Sequence, residues 1–223
     1  KVDIQNVAIV QNGENVATEK TGRTGALPHI GTAWYRNTFT LPKEAKGKKV
    51  LLLFEGAMSE PQVYLNGKKV GEWAYGYSYF YFDVSQFIQE GANTVAVKLS
   101  NKEFASRWYP GAGLYRKVSV IIKNNESIDQ WGQFITTPFI SDAVAKVNIK
   151  TKASGENTRL VTTIFDAEGH KVSAEESSLR FGKEFDQNLK VENPKLWSPE
   201  TPYLYKAVAQ LYVGNALKDE VTT

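Results

Sequence analysis

The chain has 223 residues, 42 % hydrophobic and 23 % charged, with a formal net charge of +3; this is the composition expected of an ordinary soluble globular protein long enough for two cores. It has no cysteine and two isolated histidines, His29 and His170, so disulfides, thiol chemistry and sulfur-ligated metals are excluded, the imidazoles alone do not make a zinc site, and no metal or cofactor is expected. No apolar run approaches the roughly 18 residues of a membrane span, no signal peptide is visible, and a chain beginning at Lys1 without an initiator Met is expected to be processed or cut from a longer one.

In chain order, Val7 to Val10 reads as an edge strand and Trp34 to Leu41 as a strand closed by Pro42. Lys43 to Lys49 is the densest basic cluster, but it includes Glu44 and reads as a solvated turn, so neither nucleic acid nor a membrane is expected as a partner. Val50 to Phe54, VLLLF, is apolar on both faces and predicts a central, doubly covered strand. Asn66-Gly67, between two strand-like runs, predicts a type I′ hairpin turn, because both residues tolerate positive φ. Tyr77 to Ser85 follows as a strand, then a short polar piece to Glu90 that could be helical, then a strand over Thr94 to Leu99 with Val95, Val97 and Leu99 inward.

Ser106 to Val120, SRWYPGAGLYRKVSV, is the stretch around which the rest is organised. Pro110, Gly111 and Gly113 favour a tight, irregular turn that displays Arg107, Trp108, Tyr109, Tyr115 and Arg116, rings and forked donors suited to a polar cyclic ligand. The bland alternative is that the rings fill a sandwich edge. Val118, Val120 and Ile122 then alternate as a half-buried strand should. Lys123 to Asp129 is polar and reads as free of core residues, so the boundary is set there, with domains at 1–124 and 125–223. Beyond it, strands are expected at Ala145 to Lys150, Leu160 to Phe165, Lys171 to Glu175 and Tyr205 to Val213, with a hairpin turn at Asp166 to Gly169. The fold class is all-β, and the second domain fits an immunoglobulin-like sandwich.

Four motifs in order resemble the non-catalytic N-terminal region of family 2 glycoside hydrolases, the group of β-galactosidases, β-glucuronidases and β-mannosidases. They are GTAWYRNTFTLP (31–42), FEGAMSEPQVYLNGKKVGEWAYGYSYFYFDVS (54–85) with GANTVAVKLSN (91–101) after it, RWYPGAGLYRKVSV (107–120) and LWSPETPYLY (196–205). The resemblance implies a jelly-roll sugar-binding β-sandwich, then the immunoglobulin-like sandwich, then a (β/α)₈ barrel that supplies both catalytic glutamates and is absent from this chain. It implies a retaining exo-β-glycosidase, β-galactosidase-like by first choice, as the parent. A carbohydrate substrate and the C-terminal barrel are then the expected partners; a homo-oligomer is left open, as is the compartment, with a periplasmic or secreted setting preferred.

The family lets the first domain reach the rim of the barrel's pocket, and by position this points at Ser106, Arg107, Trp108 and Tyr109, with domain packing as the alternative. Relatives such as β-glucuronidases carry an acid near position 107; Arg107 would instead offer a guanidinium to hydroxyls or a carboxylate. Trp73, Tyr75, Tyr77 and Tyr79 recur at every second position, and on a strand they would share a face able to stack on sugar rings or to line a core wall. No carboxylate is assigned to catalysis: Glu55 and Glu60 read as turn residues, Asp83 as a strand end, and the neighbours Glu175 and Glu176 as pointing to opposite faces. Gly111 to Gly113 lacks the third glycine and the helix of a dinucleotide site, Asn125-Glu126-Ser127 is a weak glycosylation sequon, and Trp197 with Pro199 and Pro202 reads as a structural clasp.

Overall fold

The computed structural model describes residues 10–11, 14–15, 31–101 and 113–223. The chain divides into two compact units, Lys1–Ile122 and Lys123–Thr223, and both are built from strands.

In the first unit, β1 (Val10–Gln11) and β2 (Glu14–Asn15) form a two-residue antiparallel pair. The strands that carry the sandwich are β3 (Gly31–Thr40), β4 (Lys49–Phe54), β5 (Gln62–Leu65), β6 (Lys68–Glu72), β7 (Phe80–Asp83), β8 (Ala92–Asn101) and β9 (Val118–Lys123). They form one sheet in the order β3-β8-β5-β6 and a second in the order β7-β4-β9, a jelly-roll sandwich. The apolar run that becomes β4 lies between β7 and β9. Its Val50, Leu52 and Phe54 enter the core with Val63, Leu65, Phe80, Val97 and Leu99, while Leu51 on its other face is also buried. Each such side chain stabilises by about 1.5–3 kcal/mol on burial. The Phe54 and Phe80 rings stack at 4.8 Å and 6°.

The β5–β6 connection is Asn66-Gly67, with φ of 51° and 81°, as a type I′ turn requires. Asn66 also ties the hairpin to the connection before β8. Its Nδ2 donates to the Phe87 carbonyl and to Asn93 Oδ1, each at 2.9 Å, and its Oδ1 accepts from Thr94 N at 2.9 Å. Asn93 is fully buried, and its amide caps the backbone of Gln89 and Gly91.

The second unit contains β10 (Ser127–Ile140), β11 (Val144–Ser154), β12 (Thr158–Phe165), β13 (Lys171–Leu179), β14 (Glu184–Glu192), β15 (Lys206–Val213) and β16 (Ala216–Thr222). Sheets of order β10-β11-β14 and β13-β12-β15-β16 face each other as an immunoglobulin-like sandwich. Alternate residues of β11, β12, β14 and β15 supply the core, among them Ile149, Leu160, Phe185, Leu189 and Leu211. Polar residues are buried here too, Thr151, Thr158, Thr162 and Gln187 among them. Gln187, fully buried, accepts from Thr162 Oγ1 at 2.6 Å and donates to Ser177 Oγ at 2.9 Å, to the Glu175 carbonyl at 3.2 Å and to the Leu160 carbonyl at 3.3 Å, so it joins β14 to the facing sheet.

Three expectations change. Strands β10, β14 and β16 are additional to those expected. The segment 123–129 is not free of core residues, since Ser127 and Ile128 are both fully buried at the start of β10. The strand expected from Tyr77 begins only at Phe80, because hydrogen bonds from other loops hold the residues before it in turns. Val7 to Ile9 lie outside the described residues.

Candidate functional site

Three connections of the first unit converge: residues 55–61 after β4, 73–79 between β6 and β7, and 113–117 before β9. Main-chain hydrogen bonds lock them together. Met58 and Gly113 exchange a pair, N to O, at 3.0 and 2.8 Å; Glu55 N donates to Lys117 O at 3.0 Å, and Trp73 N to Pro61 O at 3.1 Å. The Gly76 carbonyl accepts from Ala57 N at 3.2 Å and from the Tyr115 hydroxyl at 2.9 Å, so Tyr115 pins the second loop to the third. Gly113 has φ of +101°, and a Cβ there would run into the Tyr35 hydroxyl; only glycine fits this bridge.

The expectation that Trp73, Tyr75, Tyr77 and Tyr79 share one strand face does not hold. Residues 73–79 form turns and bends, because the bonds at the Gly76 carbonyl hold the chain in a loop there and alternation loses its meaning. Trp73 leans on the core: its ring stacks on Phe80 at 5.6 Å and 14°, and its Nε1 donates to Ser78 Oγ at 2.9 Å. Tyr75 and Tyr77 meet at 5.7 Å and 59°, with Tyr75 61 % exposed. Ser106, Arg107, Trp108 and Tyr109 lie outside the described residues. Of the same stretch, Arg116 is described, with its guanidinium 5.3 Å from the centre of the Tyr115 ring. Tyr115 as a fastener was missed from sequence; its place two residues after a glycine that must meet another backbone was the available signal.

Three of the carboxylates denied a catalytic role have local partners. Asp83 Oδ1 accepts from Ser85 N and Oγ at 3.0 and 2.5 Å, Glu175 from Asn188 N at 2.7 Å, and Glu176 from Arg159 at 2.9 Å. The clasp expected at 196–205 has a polar network beside it. Tyr203 donates to Glu168 at 2.6 Å and accepts from Ala167 N at 3.1 Å, while Lys195 sits 4.6 Å from the Tyr203 ring centre. The Tyr203 hydrogen bond holds the Glu168 carboxyl below its usual range and pushes the Tyr203 phenol up, and the Glu168 charge raises Lys195. Glu72, hydrogen-bonded to Lys69 at 2.7 Å, is also held low. At Asp166 partial burial alone would raise the carboxyl, but the combined bonds from His170 outweigh it and the net shift is downward. The shifts of Glu72, Asp166 and Glu168 favour the ionised carboxylate, the reverse of what a general acid needs.

A mostly apolar cavity of about 340 Å³ opens between the sheets of the first unit, lined by Phe39, Leu52, Val97, Leu114 and Val120, with Tyr35, Arg36 and Asn37 along its β3 edge. Most of its lining is aliphatic or aromatic, with the polar groups confined to one edge, a poor match to a polyhydroxylated sugar. Among the described residues no cluster of three His, Asp or Glu side chains could hold a metal ion.

The jelly roll and the immunoglobulin-like sandwich occur in the order of a known domain pair. Residues 8–131 match the description "Glycosyl hydrolases family 2, sugar binding domain", and residues 127–223 match "Glycosyl hydrolases family 2". The chain belongs to glycosyl hydrolase family 2. Within the family it is 35 % identical over 210 residues to β-galactosidase BoGH2A of Bacteroides ovatus, covering 89 % of this chain and 25 % of that protein. It is 30 % identical over 222 residues to a β-glucuronidase of Formosa agariphila, covering 85 % of this chain and 22 % of that one. A solved β-glycosidase from Bacteroides vulgatus superposes with a TM-score of 0.84 at 29 % identity, over 97 % of this chain and 28 % of its own. The chain therefore spans about a quarter of the length of these family 2 relatives.

Proposed function

We propose that this chain is the non-catalytic N-terminal part of a retaining exo-β-glycosidase, β-galactosidase-like by first choice. The observation that carries this reading is the pairing of both family 2 domains, in order, with relatives about four times as long that bear the names of β-galactosidases and β-glucuronidases. The two sandwiches, taken as 1–124 and 125–223, are the scaffold; a C-terminal (β/α)₈ barrel of the same protein supplies the two carboxyl groups, spaced roughly 5–5.5 Å apart for a nucleophile and an acid/base. The converging loops, with Tyr75, Tyr77 and Tyr79 on them and Ser106, Arg107, Trp108 and Tyr109 in the stretch leading to Gly113, form a rim that meets the barrel or its sugar. The downward shifts of Glu72, Asp166 and Glu168 keep these three carboxylates ionised and so unsuited to the role of general acid.

The test compares the 223-residue chain with the longer gene product on chromogenic β-galactoside, β-glucuronide and β-mannoside. Turnover only by the longer protein is expected, and turnover by the 223-residue chain would overturn the reading. In the longer protein, Arg107→Ala is expected to raise KM if the rim touches sugar and to leave kcat/KM unchanged if the segment only packs. A second reading, a free-standing carbohydrate-binding module, is favoured by the exposed tyrosines at 75 and 79 and predicts calorimetric heat with oligosaccharides in the 223-residue chain.

A further inference from the structure

The outer face of the four-stranded sheet carries a feature far in sequence from the rim segment. In β3, Tyr35, Asn37 and Phe39 stand on the side of their register partners on β8, Val97, Val95 and Asn93, which are buried in the core, although Tyr35 and Asn37 at this edge stay exposed themselves. Alternation therefore turns Trp34, Arg36 and Thr38 outward. Register then sets two rows across the face: Trp34, Lys98, Gln62 and Glu72 in one, Arg36, Ala96 and Tyr64 in the next, followed by Lys69 across a bulge.

Ala96 is the small residue at the centre of this arrangement. With no long side chain on β8 at that point, the Trp34 and Tyr64 rings lean together across the strand, their centroids 5.6 Å apart at 42°. Trp34 remains 57 % exposed, so this is an open pair of ring faces and not a closed packing contact.

The polar groups around the rings are nearly all donors. Arg36 and Lys98 have no acidic partner among the described residues. Gln62 accepts from the Tyr64 hydroxyl at 3.3 Å, which leaves its amide NH₂ to donate outward. Among the described residues of these two rows the carboxylate is Glu72, and it is turned to Lys69 at 2.7 Å. Two uncompensated cations and an amide thus flank two ring faces, with the local acid already neutralised.

We propose that this face binds an anionic oligosaccharide, with a pyranose ring stacked on Trp34 and Tyr64 and its carboxylate or sulfate held by Arg36 and Lys98. The apolar face of a pyranose matches an aromatic ring, its hydroxyls and acid oxygens match a donor-rich surround, and a guanidinium fork fits a planar carboxylate. The site does not depend on the rim or on the parent enzyme's reaction.

Isothermal titration of the 223-residue chain tests this with four probes of equal length: an oligogalacturonide, its methyl ester, a sulfated κ-carrageenan oligosaccharide and a neutral β-1,4-galacto-oligosaccharide. Heat with at least one acidic probe is expected, weakening with salt and at least about tenfold weaker with the ester or the neutral sugar. Which acidic probe binds identifies carboxylate or sulfate as the group held. Trp34→Ala should reduce affinity about tenfold or more, and the exposed-charge variant Arg36→Gln/Lys98→Gln, which leaves the core untouched, should do the same whether or not Trp34→Ala folds. Equal binding of ester and acid, no heat at millimolar acidic probe, or an unchanged affinity in Arg36→Gln/Lys98→Gln would each overturn the proposal.

Discussion

Gln187 offers the sharpest test of how the second unit is held together. Gln187→Met keeps the length of the side chain but removes its amide. The Thr162 hydroxyl, fully buried, then loses the acceptor it reaches at 2.6 Å, and Ser177 Oγ and the carbonyls of Leu160 and Glu175 lose a shared donor. A stranded buried donor costs about 1–3 kcal/mol and each further lost bond somewhat less, so the single variant should lose about 2–4 kcal/mol. Thr162→Val alone should lose about 1–2 kcal/mol, since it leaves the Gln187 carbonyl oxygen unmatched. The double variant removes both partners together, and its cost should fall short of the sum by about 1 kcal/mol or more. Urea unfolding of the 223-residue chain gives the energies, and amide exchange in β12 and β14 assigns the transition to this unit. Additive costs, or a neutral Gln187→Met, would refute the view that the amide couples the two sheets and leave it as packing alone.

Gly113→Ala is expected to destabilise the first unit by about 1–3 kcal/mol, through its positive φ and the encounter with Tyr35, and amide protection in β9 should fall with it. Asp219 accepts from Ile128 N at 2.9 Å and pairs with Lys123 at 3.1 Å, with side chains only 20 % and 11 % exposed, so Asp219→Ala should cost about 3 kcal/mol in urea unfolding. Glu168 has its folded pKa lowered chiefly by Tyr203, so its contribution to stability is present above the ordinary carboxylate range and lost as pH falls through the folded value. Tyr203 is raised by the same bond, so its contribution is lost as pH rises past the ordinary phenol range. In a carbon-detected NMR titration, Tyr203→Phe should move the Glu168 midpoint back up; an unmoved midpoint would show that the bond does not form.

The parts of the fold that sequence foretold are those where one physical signal acts alone. VLLLF announces a strand covered on both faces, and Asn-Gly announces its turn, because neither depends on distant residues. The missed strands carry mixed signals. In β14 the inward row is Phe185, Gln187, Leu189 and Val191, and the glutamine breaks the apolar alternation at a core position whose hydrogen bonds come from strands far away in sequence. Strand β10 is interrupted by register shifts and by Trp131 at φ of 54°, which resets the period of two. Edge strand β16 is polar on both sides of its register. The alternating aromatics at 73–79 gave a false strand, since the bonds that bend them arrive from residues 57 and 115. The Trp34–Tyr64 pair was hidden for a similar reason: thirty residues separate the rings, and only the register through Ala96 brings them together.

The β5–β6 turn bears on how the molecule ages. Asn-Gly is the dipeptide most prone to cyclise to a succinimide, a reaction in which the glycine nitrogen attacks the asparagine side-chain carbon. Here both ends of that side chain are anchored, Oδ1 on Thr94 N and Nδ2 on Phe87 O and Asn93 Oδ1, so the carbon cannot swing into line while the hairpin is closed. The same pair that shapes the turn is thereby shielded by the fold it creates, and deamidation at Asn66 becomes a chemical clock that runs only while this part of the chain is open.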